Sequence, residues 1–478
     1  MLRLRVISDW LNPYITVYID NPRDWNRYGL RVVMKLINST THEEIRTIII
    51  NESNIDTHRR DGMIYASFDN LIKNETYNIT VSFEDYNYLY KVNSTVAQAH
   101  GEIIGEFKLL QKLIDDAIKR GDRELVLNRT FTFTPFYEGK HENMDDRCIN
   151  LTHINRPFTI RGEGWLIDAA GYSRIFYITS PNVTIDNVVL VGGNASGEYG
   201  DPMDIGGAIY WAGANGTISN SLIEENNANL GGGIYYNATA PDCQIINTRF
   251  VENNAVTHGG AIDCNASRMG LFNTTFEKNF AYIGAALCRE INATAGHGKN
   301  NTFTNNYAEY AGAALAWVNA SSISIDTYYF YNNHVGYSGG AIYVGEGSKN
   351  CEILNCVFGN NWVDDEHNGH GGAIEWYSEK GTVYNSVFTN NHAYDGGAIY
   401  VGSGSGEINV TESTFIDNYA LTVGGAISIE ASAVTLNQSN FYNNTATKGG
   451  ALYVGGVGTD NFIKFFHQLI CLCVTFHL

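Results

Sequence analysis

The sequence predicts an all-β protein built mainly as a right-handed parallel β-helix. Three observations lead to this fold class: a block related to Gly-Gly-Ala-Ile that returns at nearly fixed spacing, a Phe-x-x-Asn block in phase with it, and a composition of 49 Gly but only 7 Pro in 478 residues. The apolar runs are short, β-branched or aromatic, and punctuated by Gly, Asn and Asp. That pattern is typical of strands and turns rather than helices.

The block occurs ten times at intervals of 25 to 32 residues, six times as Gly-Gly-Ala-Ile and four times as a close variant. A repeat of this length forms one coil of several strands, and stacking of successive coils buries a continuous core. The paired glycines supply positive φ angles that other residues resist. The copies begin at Gly206, Gly231, Gly259, Gly284, Gly312, Gly339, Gly371, Gly396, Gly424 and Gly449.

The Phe-x-x-Asn block predicts two columns inside the solenoid. We expect the Phe side chains to stack in the interior, together with Trp211, Trp317 and Trp376. The Asn falls at the next turn, where its amide can bond the backbone and the Asn side chains of neighbouring coils. The expected ladder comprises Asn253, Asn279, Asn306, Asn333, Asn361, Asn391, Asn418 and Asn444.

The remaining segments divide the chain into three parts. Residues 1–98 lack the repeat and contain alternating strands, which predict a small Ig-like β-sandwich. Residues 99–456 form the β-helix, opened by an amphipathic helix over Gly105 to Arg120 that shields the end of the solenoid. Residues 457–478 form an atypical apolar tail, too short for a membrane span. The tail is a cap strand, a broken anchor or the product of an out-of-frame translation.

Charge and sequons indicate the cellular setting. The net charge of −19 argues against nucleic acid or an anionic membrane as a partner. Many Asn-x-Ser/Thr sequons, such as those at Asn182 and Asn265, fit an exported, glycosylated surface protein. Met1 to Asn12 contains no signal peptide. We therefore expect a fragment of an extracellular protein whose membrane association depends on a missing anchor.

The eight cysteines give no zinc-ligand spacing. We interpret them as small buried hydrophobic residues, with a stacked disulfide as the alternative.

With these motifs, the sequence resembles two families. The Gly-Gly-Ala-Ile and Phe-x-x-Asn repeats are similar to those of chlamydial polymorphic membrane proteins, and more so to the adhesin-like surface proteins of methanogenic archaea. Residues 107–127 and the segment from Arg156 to Gly164 resemble the opening of pectate-lyase-like β-helices, and Leu71 to Tyr88 resembles the last strands of Ig-like modules. The resemblance implies an exported cell-surface role, often in adhesion, with glycans or proteins of host or neighbouring cells as partners.

The residue after each Gly-Gly-Ala-Ile block is predicted to point outward. This column contains Tyr210, Tyr235, Tyr343, Tyr400 and Tyr453. An exposed row of tyrosines would stack on sugar rings or anchor a protein partner. The alternative is that Tyr simply suits a half-exposed sheet face.

A metal site is the second candidate. The longest repeat holds Asp364, Asp365, His367 and His370 in one protruding loop, and imidazoles beside carboxylates can bind a divalent ion. The alternative is a solvated polar loop. No cofactor is expected.

Catalysis is the function that the residues favour least. The outward column holds acids only at Asp263 and Glu375, four coils or roughly 20 Å apart, which is too far for a carboxylate pair. We therefore expect an adhesin-like binding protein and no enzyme. The alternative is a carbohydrate-active β-helix enzyme, either a polysaccharide lyase or a glycoside hydrolase.

Overall fold

The computed structural model describes residues 4–8, 15–20, 31–39, 41–51, 58–60, 63–68, 71, 77–84, 89–90, 97–99, 105–133, 148–195, 204–364, 369–430, 433–455, 462–466 and 474–476. The chain divides into two compact units, Met1–Gly105 and Glu106–Leu478.

The first unit is a small β-sandwich. One antiparallel sheet contains Leu4–Ser8, Ile15–Asp20, Arg59–Arg60 and Met63–Phe68, and the other contains Arg31–Asn38, Glu44–Ile50, Tyr77–Glu84, Leu89–Tyr90 and Ala97–Ala99. Both sheets contribute to one core, for example Ile64 and Phe68 from the first and Met34 and Ile79 from the second. The predicted antiparallel β-structure is confirmed, whereas its Ig-like character stays a prediction. The strands Leu4–Ser8 and Ile15–Asp20 are additions that the sequence pattern did not indicate.

The second unit opens with the predicted capping helix, Glu106–Arg120. Its apolar face, which includes Phe107, Leu110 and Ile114, is buried in the core of the solenoid. Polar side chains fasten it to the first coil, because Gln111 accepts a hydrogen bond from the Asn150 amide at 2.6 Å. The helix therefore covers the end of the core and satisfies backbone groups that would otherwise be open.

The rest of this unit is a parallel β-helix whose coils contribute to four sheets. We number the sheets in the order in which the chain visits them within a repeat. All neighbouring strands within these four sheets are parallel and register residue for residue apart from local bulges in the third sheet, as in the pairing of Phe250 with Phe276. The first sheet contains Glu124–Val126, Phe158–Arg161, Val183–Asp186, Thr217–Ser219, Gln244–Ile246, Gly270–Phe272, His297–Lys299, Ser324–Asp326, Cys351–Leu354, Lys380–Tyr384, Glu407–Thr411, Ala433–Asn437 and Phe462–Phe466.

The second and third sheets follow in each repeat. The second contains Phe131–Thr132, Leu166–Asp168, Val189–Val191, Leu222–Glu224, Arg249–Val251, Thr275–Glu277, Thr302–Thr304, Tyr329–Tyr331, Val357–Gly359, Val387–Thr389, Thr414–Ile416 and Asn440–Tyr442. The third contains Asn194–Ala195, Asn227–Leu230, Asn254–His258, Phe280–Ile283, Tyr307–Ala311, His334–Val335, Trp362–Val363, His392–Asp395 and Tyr419–Val423.

The fourth sheet follows the paired glycines. It contains Ile149–Leu151, Phe176–Ile178, Ile209–Trp211, Ile234–Tyr236, Ile262–Cys264, Leu287–Arg289, Leu315–Trp317, Ile342–Val344, Ile374–Trp376, Ile399–Val401, Ile427–Ile429, Leu452–Val454 and Val474–Phe476. The tail strands Phe462–Phe466 and Val474–Phe476 thus extend the first and fourth sheets in parallel, as the cap-strand alternative predicts.

The interior of the solenoid confirms the predicted columns. Adjacent Phe rings from Phe250 to Phe441 stack with centroids 4.6–5.1 Å apart and nearly parallel planes. The three tryptophans are fully buried. The Asn side chains form a ladder in which each amide donates to the next, for example from Asn306 to Asn333 at 2.9 Å. The ladder begins one coil earlier than predicted, at Asn226.

The paired glycines form the corner between the third and fourth sheets. The first glycine has φ between +59° and +71° at each of the ten positions. At Gly260 an added Cβ would lie 2.2 Å from the carbonyl oxygen of Phe280 in the next coil. Glycine therefore allows both the turn and the close approach of successive coils.

The six cysteines in the described part of the chain are buried, as the preferred interpretation predicts. Cys471 and Cys473 lie outside the described residues. No helix among the described residues is long and apolar enough to cross a membrane.

Candidate functional site: a buried corner and an exposed aromatic face

The tyrosine column is less exposed than predicted. Tyr235 and Tyr400 are buried, at 8% and 5% exposure, while Tyr210, Tyr343 and Tyr453 are half-buried. The column does face away from the core, but the last residues of the third sheet pack against it at the glycine corner, as His370 does on Tyr400 with ring centroids 4.2 Å apart. The expectation of an exposed row is therefore wrong at Tyr235 and Tyr400, and the binding role of the column stays a prediction.

At the corner formed by the paired glycines, a His that precedes the glycines lies next to an acidic residue that follows them. The segment His-Gly-Gly-Ala-Ile-acid occurs twice, at His258 to Asp263 and at His370 to Glu375. His258 ends a third-sheet strand, and His370 lies just before the paired glycines. In both copies the acid is the outward residue of the fourth-sheet strand that follows. Because the corner folds the two sheets toward each other, both pairs become neighbours. The copies are four coils apart, or about 19 Å.

The His370 cluster comprises His370, Glu375, Tyr377, Asp395 and Tyr400. The Nδ1 atom of His370 lies 3.4 Å from Oε1 of Glu375, and its Nε2 atom lies 3.6 Å from Oδ2 of Asp395. Glu375 is 1% exposed, accepts a hydrogen bond from the Tyr377 hydroxyl at 3.1 Å, and has no partner for Oε2 among the described residues. The imidazole therefore bridges carboxylates from two consecutive coils.

Electrostatics in this cluster favour a charged imidazole. Burial lowers the pKa of His370, but the hydrogen bond to Glu375 and the charges of Glu375 and Asp395 outweigh it, so the pKa is raised. Burial and the charge of Glu375 raise the pKa of Tyr377. Burial and the neighbouring Glu430 do the same for Tyr400. The two tyrosine hydroxyls consequently remain neutral donors beside an ion pair.

The His258 cluster comprises His258, Asp263 and Glu290. The Nδ1 atom of His258 lies 3.0 Å from Oε1 of Glu290, and one ligand atom from each of the three residues lies within 4.8 Å of the others. Asp263 is fully buried, and burial together with the charge of Glu290 raises its pKa well above the usual range. Burial and Asp263 raise the pKa of the adjacent Tyr235 to about 12.

The residues predicted to form a metal loop do not share one site in the described part of the chain. Asp364 lies 2.7 Å from Nε2 of His334, whereas His370 lies between Glu375 and Asp395. Asp365 and His367 lie outside the described residues. A metal at this loop stays a prediction.

An exposed aromatic face lies on the outer side of the third sheet. One ladder runs through Phe280, Tyr307, His334 and Trp362, with ring centroids 4.5–5.5 Å apart. A second runs through Tyr282, Tyr310 and Tyr337, which are 42%, 40% and 41% exposed. Exposed aromatic side chains grouped on one surface are a candidate binding site. We call these seven residues the aromatic face.

The sequence contained a signal for this face. Each residue of the first ladder directly follows an Asn of the interior ladder, as Tyr307 follows Asn306 and Trp362 follows Asn361. The side chain after a buried Asn points outward, so an aromatic residue there is exposed unless another element covers it. The corner clusters had a weaker signal, because a His before the paired glycines occurs in only two repeats.

Comparisons with known proteins agree with the fold. Residues 290–464 match the family model described as right-handed β-helix region. No curated protein sequence matches the chain significantly. The predicted right-handed parallel β-helix is confirmed, whereas no match bears on an archaeal or chlamydial relationship.

Solved structures with a similar fold include two glycosidases and a phage protein. The catalytic domain of a GH87 α-1,3-glucanase in complex with tetrasaccharides has a TM-score of 0.48 at 11% identity, covering 97% of this chain and 95% of that chain. The family 28 exopolygalacturonase of Yersinia enterocolitica has a TM-score of 0.41 at 11% identity, covering 97% of both chains. The tailspike of Escherichia coli bacteriophage HK620 in complex with a pentasaccharide has a TM-score of 0.36 at 11% identity, covering 77% and 84%.

These matches correct the prediction that the chain is no enzyme. Glycoside hydrolases are among the solved structures that it is similar to, at 11% identity and TM-scores of 0.41 and 0.48. The prediction was based on the acids of one outward column, Asp263 and Glu375. Acidic residues at the glycine corner also lie near that column. Asp263 and Glu375 are far apart, but Glu375 and Asp395 lie on either side of one imidazole. At 11% identity the likeness concerns the fold alone.

Proposed function

We propose that this protein is an extracellular, adhesin-like protein that binds glycans through the aromatic face of its third sheet. The observation that supports the proposal is the pair of ring ladders on one side of the solenoid, in which one ladder is exposed and the other is half-buried up to the exposed Trp362. Tyr and Trp side chains combine apolar area with a polar tip, which suits sugar surfaces that present both C–H groups and hydroxyls. An extracellular location is the setting in which such a face meets polysaccharide.

The stacking geometry indicates how a glycan would bind. Rings within a ladder cover each other's faces, as Tyr282 and Tyr310 do at 5.3 Å and 13°. The outward parts are therefore ring edges and tyrosine hydroxyls, which donate and accept hydrogen bonds with sugar hydroxyls. A free ring face remains only at the end of a ladder, where a sugar ring can stack. We expect recognition along the solenoid axis rather than in a deep pocket.

Glycan binding is tested with the whole chain and immobilised polysaccharides of plant, bacterial and animal origin. The Tyr310→Ala variant is expected to weaken binding about tenfold, since a central aromatic anchor contributes on the order of 1–2 kcal/mol. Tyr442→Ala is the matched control, because Tyr442 is 40% exposed but lies on the second sheet. Retention of no polysaccharide, or equal losses in the two variants, would contradict the proposal.

Glycoside hydrolysis is the second candidate, and the His370 cluster favours it. Glu375 and Asp395 contact opposite nitrogens of His370, so their nearest oxygens are at most about 9 Å apart, no farther than the carboxylate pairs of inverting glycosidases. In this function Glu375 and Asp395 would act as the acid and base, and the aromatic face would hold the chain of sugars.

The two candidates are separated by measuring the release of reducing sugar from every polysaccharide that the protein retains. Release by the wild type that is lost in Glu375→Gln, with binding unchanged, would establish hydrolysis. Retention with no release in either protein would support binding alone. The Gln variant keeps the size of the side chain, so loss of the fold is checked by comparing thermal unfolding.

A further inference from the structure

We propose that His258, Asp263 and Glu290 bind a divalent metal ion of the zinc type. The three residues come from two consecutive coils: His258 ends a third-sheet strand, Asp263 lies in the next fourth-sheet strand, and Glu290 follows the fourth-sheet strand one coil later. None of these three residues belongs to the aromatic face or to the His370 cluster. It does not depend on the function proposed above.

The geometry suits a small ion. One ligand atom from each side chain lies within 4.8 Å of the other two. Ligands about 2.0–2.2 Å from a tetrahedral zinc ion are separated by about 3.3–3.5 Å, so side-chain adjustments of roughly an ångström complete the site. His258 and Glu290 already lie 3.0 Å apart, and both side chains are mostly covered, with 29% and 24% exposure. The remaining exposure leaves room for a water ligand and a path for the ion.

Asp263 provides the independent indication. Its side chain is fully buried, yet neither carboxylate oxygen has a hydrogen-bond partner among the described residues. A buried carboxylate without a well-formed hydrogen bond is costly, because its desolvation is poorly offset. A cation placed between His258 and Glu290 would supply the missing partner. Without such a role, Asn or Ser at this position would be less costly to bury.

The ligand types select the ion. Calcium and magnesium prefer oxygen ligands and seldom bind imidazole, whereas one nitrogen and two carboxylates suit zinc and neighbouring first-row metals.

The His370 cluster lacks this arrangement although it shares the His-Gly-Gly-Ala-Ile-acid segment. There the two carboxylates approach opposite nitrogens of the ring, so no point faces all three ligand groups at once. In the His258 cluster the groups converge. The next-coil acid makes the difference, since Glu290 follows its fourth-sheet strand whereas Asp395 ends a third-sheet strand.

The test measures zinc binding to the full-length protein after removal of metals with a chelator. Titration with zinc chloride, followed by competition with a chromophoric chelator, is expected to show one tight zinc ion per chain that Asp263→Asn removes. The expected loss in affinity exceeds about 100-fold, because even partners of metal ligands contribute 10–100-fold. Calcium chloride is the contrasting probe and is expected to compete poorly. A second readout is the unfolding temperature, which zinc should raise in the wild type only.

Two further variants keep the outcome interpretable. His258→Gln removes a partly exposed ligand, so it reports on the site if Asp263→Asn fails to fold. Asp242→Asn removes a surface acid that pairs with Arg268 outside the cluster, and it should bind zinc like the wild type. Absence of tight zinc binding in the wild type would overturn the proposal. So would tight binding that both Asp263→Asn and His258→Gln retain.

Discussion

At the scale of single residues, His370 shows how the solenoid raises the pKa of an imidazole despite its burial. The ring lies between carboxylates from two coils, and its pKa is raised despite its burial. A group whose pKa is higher in the folded state binds protons preferentially in that state. Its contribution to stability is therefore fully present below its ordinary pKa, 6.5. That contribution is lost as the pH rises through the folded value.

We predict that the free energy of unfolding of the wild type decreases as the pH rises above 6.5, and that His370→Gln weakens this dependence. The measurement is urea unfolding at a series of pH values from 5 to 9. The control is His297→Gln, which changes an exposed histidine of the first sheet. Equal pH dependence in the wild type and His370→Gln would contradict the assignment of a raised pKa.

At the scale of structural elements, the Asn ladder and the exposed Asn pairs use the same contact in different surroundings. Asn306 is fully buried, accepts hydrogen bonds from Asn279, and donates to Phe276 and Asn333. Asn292 bonds Asn265 in the same coil-to-coil manner but in contact with water. Because a buried group that loses its partner pays the full desolvation cost, the two positions should differ in their effect on stability.

We predict that Asn306→Ala lowers the free energy of unfolding by about 3 kcal/mol. Asn292→Ala, the matched change at the surface, should lower it by about 0.5 kcal/mol or less. Chemical denaturation of both variants and the wild type provides the comparison. Similar losses at the two positions would show that the ladder adds no more stability than a surface contact.

The arrangement of the strands explains why the interior columns could be predicted from the sequence and the corner clusters could not. Each Phe stacks on the Phe of the next coil, and each Asn bonds the Asn of the next coil. Because the partners are residues of the same type one repeat apart, the repeat spacing is enough to predict both columns. The corner clusters required the angle between the third and fourth sheets. Alternation indicates that Tyr400 and Glu375 face away from the core, but it does not indicate that His370 packs against them. That contact depends on how the chain turns at the paired glycines.

At the scale of the whole molecule, each coil of the solenoid contacts mainly its two neighbours. The coils also share one pattern, so Phe303 and Asn306 could meet Phe358 and Asn361 as readily as the residues of the coil between them. Stability in such repeat proteins is approximately a sum over coils and their interfaces. The number of coils is therefore adjustable, whereas the phase of the repeat is not.

We predict that deletion of residues 312–338, one complete repeat between Gly312 and Gly339, leaves a folded solenoid. Its far-ultraviolet circular dichroism per residue should equal that of the wild type, with cooperative thermal unfolding. Deletion of residues 312–325 removes the fourth-sheet strand and part of the first-sheet strand, so the remaining strands cannot stack in phase. That variant should be unfolded or aggregated. If both deletion variants are equally well folded, the repeats do not need to stay in phase.

The Asn ladder also has a direction. From Asn226 to Asn418 every side-chain amide donates to the Asn side chain of the next coil toward the C-terminus, and Asn444 accepts the last of these hydrogen bonds. The nine amide dipoles therefore add along the axis, and mutual polarisation strengthens the inner bonds relative to the outermost ones. The solenoid thus has an electrically negative end at Asn226, where the Gly193 amide donates to Oδ1, and a positive end at Asn444. A coil joined beyond either end would have to match that polarity.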